Sequence, residues 1–259
     1  MLYCSTIKGF KEHLSERRQN GQQILIHQQI DKCLKAGLMS LINFPDPEWA
    51  NDDGLLAFGG NLEPDTLLQA YASGIFPWSV NPITWWSPDP RAIFEIAEFR
   101  LSRRMARLYR KGRFSFSIDK RFVDVMKGCA RSAPGRETTW ISPEFISAYT
   151  RLHDLGHAHS VEAYIDSELV GGVYGVAIGA FFAGESMYSA VPNASTMALM
   201  FLLEHLRKCN FELFDSQVIT PHTARLGAVN IDRTLYLNRL RKAVNKDCSF
   251  SCKKNPSEL

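Results

Sequence analysis

The spacing of apolar residues changes several times along the chain, and each change marks an element. Residues 1–40 are polar, with one weak amphipathic series, Ile24, Ile26, Ile30, Leu34 and Leu38, and read as an extension. Between Phe44 and Arg91 the chain is dense in Pro, Gly and Trp. Phe44-Pro45, Gly59-Gly60, Phe76-Pro77 and Pro88-Asp89-Pro90 are turn signals, so this stretch is predicted to be loop-rich but packed. Leu101, Met105 and Leu108 recur at helical spacing and predict a helix over 100–112, followed by strand-like alternation from Phe114 to Ile118. Ser142-Pro143-Glu144 opens a helix over about 143–155, because Ser caps and Pro fits the first turn, and Gly156 closes it. The period then falls to two. Runs at 159–166, 169–178 and 180–189, divided by Asp166-Ser167-Glu168 and by Gly179, predict an antiparallel meander. A helix from Thr196 to Cys209 capped by Ser195, a strand from Phe211 to Val218, a short helix near 221–226 and a helix near 233–244 complete the pattern. These elements predict an α+β class. The expected organisation is a small loop-rich domain over 41–98, a larger domain over 99–245 and a fraying polar tail over 246–259.

With 45% apolar and 22% charged residues, the 259-residue chain has the composition of a globular protein with a sizeable core. A net charge of +3 says little, but its distribution says more. Arg100, Arg103, Arg104, Arg107, Arg110, Lys111 and Arg113 lie within fourteen residues free of acids, and a helix would align 100, 103, 104, 107 and 111 opposite the apolar residues. A solvated face usually mixes signs, so this one points to a polyanion. Cys4, Cys33, Cys129, Cys209, Cys248 and Cys252 are scattered without C-x-x-C pairs, and read as reduced thiols. The chain has no apolar run of roughly 18 residues and no apolar leader-like stretch, which makes the cytoplasm the expected location.

Several polar groups interrupt apolar surroundings. A strand over Phe211–Gln217 would place Asp215 and Gln217 on one face and Phe214 and Ser216 on the other. Glu185 interrupts the apolar run 180–188, where burial requires either a cation or a substrate amine. Trp85-Trp86 and Trp140 supply ring faces near turns, suited either to the core or to base stacking. His153, His157 and His159 span a helix end and a strand, so their side chains should diverge, and no metal site is expected. Phosphate-binding, dinucleotide-binding and serine-esterase signatures are absent from the sequence.

Eight ordered blocks carry a resemblance. They are Gly54-Leu-Leu-Ala-Phe-Gly-Gly-Asn61-Leu-Glu-Pro, Ala70-Tyr-Ala-Ser-Gly-Ile-Phe-Pro-Trp78, Trp85-Trp-Ser-Pro-Asp-Pro-Arg91, Thr139-Trp-Ile141, Leu152-His-Asp-Leu-Gly-His-Ala-His-Ser-Val-Glu162, Leu169-Val-Gly-Gly-Val-Tyr-Gly-Val176, Gly184-Glu-Ser-Met-Tyr-Ser189 and Phe214-Asp-Ser-Gln217. Together they resemble the leucyl/phenylalanyl-tRNA–protein transferases. The resemblance implies a small N-terminal domain and a C-terminal domain related to N-acetyltransferases (GNAT-like), without acyl-CoA or another cofactor. It implies transfer of Leu, Phe and Met from aminoacyl-tRNA to acceptor proteins with N-terminal Arg or Lys, marking them for N-degron degradation. Trp85 and Trp140 would flank the donor's terminal adenosine, and Val173, Phe182, Met187, Leu199 and Phe214 would line the side-chain pocket. Glu185, Asp215 and Gln217 would form the reacting site, and the arginine face (Arg100, Arg103, Arg104, Arg107, Lys111) would bind tRNA.

An α-amine with a pKa near 7.7–8.0 is already partly neutral at pH 7, so the reaction needs positioning more than a strong base. Gln217 would orient the amine, with Asp215 holding Gln217 or helping to take up the proton, and Glu185 would meet the acceptor's cationic end. The chain departs from the family's pattern at Thr196, where Lys is usual, at Ser216, where Cys is usual, and at Phe214, where Ile is usual. The alternatives are a tRNA-dependent transferase with another acceptor and an inactive tRNA-binding paralogue. A monomer is expected.

Overall fold

The computed structural model describes residues 43–100, 102–132 and 139–252. The Trp-rich segment is more regular than its composition suggested. It holds β1 (Leu55–Phe58), α1 (Pro64–Ala72), β2 (Phe76–Val80) and β3 (Ile83–Trp86), with the strands paired in the order β1-β3-β2. Pro64 starts α1 where a missing N–H costs nothing, and Asp65 lies in its first turn, near the positive end of the helix dipole. Gly74 follows at φ +80°, and a Cβ there would come within 2.6 Å of Leu237. Only glycine tolerates both the backbone angle and the approach.

The remaining strands form one seven-stranded sheet ordered β10-β4-β9-β8-β7-β6-β5, comprising β4 (Arg91–Phe94), β5 (Ser115–Ile118), β6 (Ala158–Ile165), β7 (Glu168–Ile178), β8 (Phe181–Ser189), β9 (Leu213–Gln217) and β10 (Val229–Ile231). The predicted meander is β6-β7-β8, antiparallel throughout. A crossover through α5 (Ala194–Lys208) then sets β9 parallel to β8, with Phe182 level with Phe214 and Ala183 with Asp215. The α+β class is as expected, with a strand–helix–strand unit after the meander. β4 comes from the end of the predicted loop-rich region, yet it pairs with β9 at the heart of the large sheet.

Helices cover both faces of this sheet. Adjacent residues of a strand face opposite sides, and a Cβ on Gly171 would strike Ala194 of α5, whereas one on Gly172 would strike Val125 of α3 (Phe122–Ala130). The glycines of β7 therefore let two helices seat closely. α3 was not predicted, and its N-cap residue, Arg121, makes no capping side-chain bond. Glu162 of β6 substitutes: the fully buried carboxylate accepts the backbone N–H groups of Lys120 and Arg121 at 3.4 Å and the Ser160 hydroxyl at 2.5 Å, and also bonds Ser117. A carboxylate at a helix N-terminus is electrostatically favoured.

Other expectations need correction. The basic helix α2 is Arg103–Arg110, capped by Ser102, so Arg100 precedes it; Leu101 lies outside the described residues. α5 starts at Asn193 in the left-handed conformation, and Ser195 instead bonds Ser189 at 2.8 Å. His153 and His159 do not diverge: both reach Asp119, at 4.0 and 2.7 Å. α4 (Pro143–Asp154), α6 (Pro221–Arg225) and α7 (Arg233–Val244) fall where the pattern put them. The tail packs through Cys252, because Phe250 is buried and Lys246 pairs with Glu212 at 2.5 Å. That packing brings Cys252 to Cys209, with Cα atoms 4.9 Å apart, and the two form a disulfide where reduced thiols were expected. Cys4 and Cys33 lie outside the described residues.

Candidate active site

Asp215 is completely buried in β9, and its charge is answered by Arg91, the first residue of β4. The guanidinium clasps it with two bonds, Nε to Oδ1 at 2.9 Å and Nη2 to Oδ2 at 2.6 Å. Tyr236 of α7 donates to Oδ2 at 2.8 Å, and the Gln217 backbone N–H donates to Oδ1 at 2.8 Å. A carboxylate has about four lone-pair positions, and all four are taken here. Burial by itself would lower the Arg91 pKa, but the Asp215 charge outweighs it and holds the guanidinium above its ordinary value. Arg91 is tied down further by the Gly74 carbonyl at 3.1 Å and packs over the rings of Phe76 and Tyr236.

The Gln217 bond to Asp215 bends the strand end: Gln217 sits at φ +59°, outside the extended region, and this breaks the simple alternation of β9. The turn sends its side chain to β8, where Nε2 donates to Glu185 Oε1 at 2.9 Å. The sequence-predicted trio Asp215, Gln217 and Glu185 is thus connected, and Arg91 joins it through Asp215. Glu185 keeps some solvent access although its carboxyl lies deep in the protein. Desolvation raises its pKa to about 7, hydrogen bonds from Tyr71, Tyr149 and Gln217 pull it down, and the Asp215 charge pushes it up. Tyr149 donates to Glu185 Oε2 at 3.3 Å and bonds Tyr71 in turn. A cation or a substrate amine was expected for Glu185; among the described residues no cation pairs with it, and Tyr149 and Gln217 supply hydrogen bonds instead. Ser216 points its hydroxyl away from this network, buried and without a partner.

Beside the polar unit, Val173, Phe182, Leu199 and Phe214 belong to one buried apolar cluster, with Met187 packed against it. Register explains the convergence: Val173 pairs across from Met187, and Phe182 from Phe214, whose rings meet edge-on with centroids 5.4 Å apart. Trp140 is half-buried against Phe145, with centroids 5.1 Å apart. Trp85 is only 1% exposed, its indole N–H bonded to the Gly59 carbonyl at 2.8 Å and its ring against Phe44.

Arg103, Arg104, Arg107 and Lys111 are exposed, while Met105, Leu108 and Tyr109 turn toward the core. The first turn of α2 holds two arginines and no acid, a choice that opposes the helix dipole and so serves something other than helix stability. Arg100 bonds the carbonyls of Ala97 and Phe99 at 2.9 and 2.8 Å.

The family profile described as leucyl/phenylalanyl-tRNA protein transferase matches residues 93–241, and that of its N-terminal domain matches residues 60–89. A leucyl/phenylalanyl-tRNA–protein transferase of Anaeromyxobacter sp. (strain Fw109-5) is 49% identical over 79% of this chain and 88% of its own length. The chain belongs to the leucyl/phenylalanyl-tRNA–protein transferase family. Family members from Sulfurimonas denitrificans and Shewanella piezotolerans are 46% and 48% identical, over 82% and 77% of this chain and 92% and 86% of theirs. Among solved structures, a GCN5-related N-acetyltransferase from Kribbella flavida aligns over 62% of this chain and 58% of that one, with 8% identity and a TM-score of 0.34. No described helix is long and apolar enough to cross a membrane.

The residues of this candidate site that the sequence left without a role are Arg91, Tyr236, Tyr71 and Tyr149. One signal for Arg91 was available: a carboxylate in an apolar strand needs a cation, and Arg91 opens a short apolar run of its own. The tyrosines gave no such signal, because a buried tyrosine usually means core.

Proposed function

We propose that this chain transfers Leu, Phe and Met from aminoacyl-tRNA to the N-terminal Arg or Lys of acceptor proteins, forming a peptide bond and marking them for N-degron degradation. It acts as a monomer in the cytoplasm. The observation that carries this reading is the Gln217–Glu185 hydrogen bond beside the apolar cluster, which joins an amide to a carboxylate of raised pKa and so supports a site for an amine attacking an ester.

The amine nitrogen attacks the ester carbonyl, the C–N bond forms, and the ribose oxygen leaves. The Gln217 carbonyl oxygen accepts a hydrogen bond from the amine and aims its lone pair. Asp215 has no free lone pair to take a proton, so it fixes Gln217, and Glu185 receives the proton the amine loses; the departing ribose oxygen regains one. A carboxyl near pH 7 in affinity can do both at little cost. Its negative form also attracts the basic acceptor end. Most of the rate gain is positional.

Val173, Phe182, Met187, Leu199 and Phe214 take the donor side chain, and Met187 helps admit more than one apolar group because thioether chains repack easily. Trp140 presents its half-exposed ring to the adenosine; Trp85, 1% exposed and bonded to the Gly59 carbonyl, packs in the core. The arginine face, Arg100 with Arg103, Arg104, Arg107 and Lys111, holds the tRNA backbone.

The test is transfer of radiolabelled Leu, then Phe, from charged tRNA to peptides beginning with Arg, Ala or Asp. Incorporation confined to the Arg peptide is expected; equal incorporation into all three, or none, would overturn the acceptor assignment.

A further inference from the structure

Away from the active site, the end of α5 and the C-terminal segment bring together groups that look unrelated in sequence. His205 and Cys209 are four residues apart on α5 and so share one face. Cys252 reaches the same place from the turn after Phe250, and one ligand atom from each of the three residues lies within 4.8 Å of the others. His205 Nε2 is 3.5 Å from Cys209 Sγ and 2.7 Å from the Phe250 carbonyl. A further thiol, Cys248, is half-buried beside them, donating to the Cys209 carbonyl at 2.9 Å.

We propose that the reduced chain binds one zinc ion through His205, Cys209 and Cys252, with Cys248 as the fourth ligand, so that the cluster fastens the C-terminal segment either by a disulfide or by a metal. Three sulfurs and one imidazole are a usual donor set for a closed tetrahedral zinc site. The paired spacings, H-x-x-x-C on a helix and C-x-x-x-C around a turn, let each arm supply two ligands without rearranging the fold. Every ligand moves: the reduced Cys209 and Cys252 sulfurs separate to stand about 2.3 Å from the metal, His205 Nε2 exchanges its bond to the Phe250 carbonyl for zinc, and Cys248, outside the close set of three, gives up its bond to the Cys209 carbonyl and turns in. The step balances. A phosphine reductant and water convert the disulfide to two thiols and the phosphine oxide, and zinc then displaces one proton from each of three thiols.

What the clamp secures is Phe250. Its ring stacks on His159 with centroids 4.0 Å apart, lies 5.7 Å from Phe182 and meets Phe211 edge-on. Phe182 is a wall of the apolar cluster described above, so the metal would hold the residue that backs that wall.

The experiment uses the full chain, reduced with a phosphine, freed of reductant and titrated with Co(II) as a spectroscopic stand-in. One equivalent should give thiolate-to-cobalt charge-transfer absorption and the visible bands of tetrahedral cobalt, and zinc should abolish both. Zinc well above its dissociation constant should raise the thermal midpoint of the reduced chain by about 5 °C or more. His205→Ala, Cys248→Ser and Cys252→Ser should each weaken binding at least ten-fold, whereas Cys129→Ala should not. A reduced, folded wild-type chain that shows no charge-transfer band and retains no zinc after desalting would overturn the proposal, whether or not the variants fold. So would binding undiminished by Cys252→Ser.

Discussion

Gln217 donates its side-chain amide to Glu185 at 2.9 Å, while its backbone N–H is held by Asp215 at 2.8 Å. One residue therefore links a carboxylate whose lone pairs are all engaged to one whose pKa lies near neutrality. The sequence left proton uptake to Asp215 and the acceptor's cationic end to Glu185; the hydrogen bonds leave Asp215 only the holding of Gln217.

Glu185 should govern the pH dependence of transfer. With its pKa raised to about 7, the ionised form accumulates as pH rises through 7, so kcat/KM should rise there, with a second rise near 7.7–8.0 from the acceptor amine. Glu185→Gln should lose the lower step and keep the upper one. The same shift bears on stability: burial favours the protonated form, so the native state loses stability as pH climbs from the unfolded value of 4.5 to about 7. Glu185→Gln should accordingly be more stable than wild type at pH 8, by up to a few kcal/mol, and no more stable at pH 4. Urea titrations at both pH values measure this.

Removing Arg91 should leave a buried, unpaired carboxylate. Arg91→Met should cost roughly 3–5 kcal/mol, read from urea midpoints. Arg91→Met combined with Asp215→Leu should recover much of that loss without recovering transfer. Additive costs in the pair would show that the salt bridge is not the coupling.

The arginine face should act by charge alone. Arg103→Glu, Arg104→Glu and Arg107→Glu together should weaken binding of charged tRNA and flatten its dependence on the logarithm of salt concentration by about 0.7–0.9 for each phosphate no longer neutralised. Filter binding at several ionic strengths checks this, and turnover at saturating tRNA should change little.

Much of the architecture was written in periodicity. The meander, α4, α7 and the strand–helix–strand unit follow from apolar spacing and from clear end signals such as Ser142-Pro143 and Gly156. What escaped was decided by pairings between distant segments. α3 carries no capping side chain of its own, and Glu162, some 40 residues downstream, does that work. Arg91 finds Asp215 across 124 residues, and Cys252 finds Cys209 across 43. Local pattern cannot report such pairs. Within the candidate site the residue types were legible because a carboxylate inside an apolar strand, as at Asp215 and Glu185, is costly to bury. The shell of Tyr71, Tyr149 and Tyr236 was not, since tyrosine is at home in a core.

In the proposed function Gln217 positions the amine while the donor is held elsewhere. The most direct test is the single-turnover rate of Leu transfer to an Arg-initiated peptide by Gln217→Ala, with charged-tRNA affinity measured in the same preparation. The arrangement predicts a rate lower by at least a hundred-fold, about 2.7 kcal/mol in the barrier, with affinity unchanged. A wild-type rate in a folded Gln217→Ala protein would contradict it.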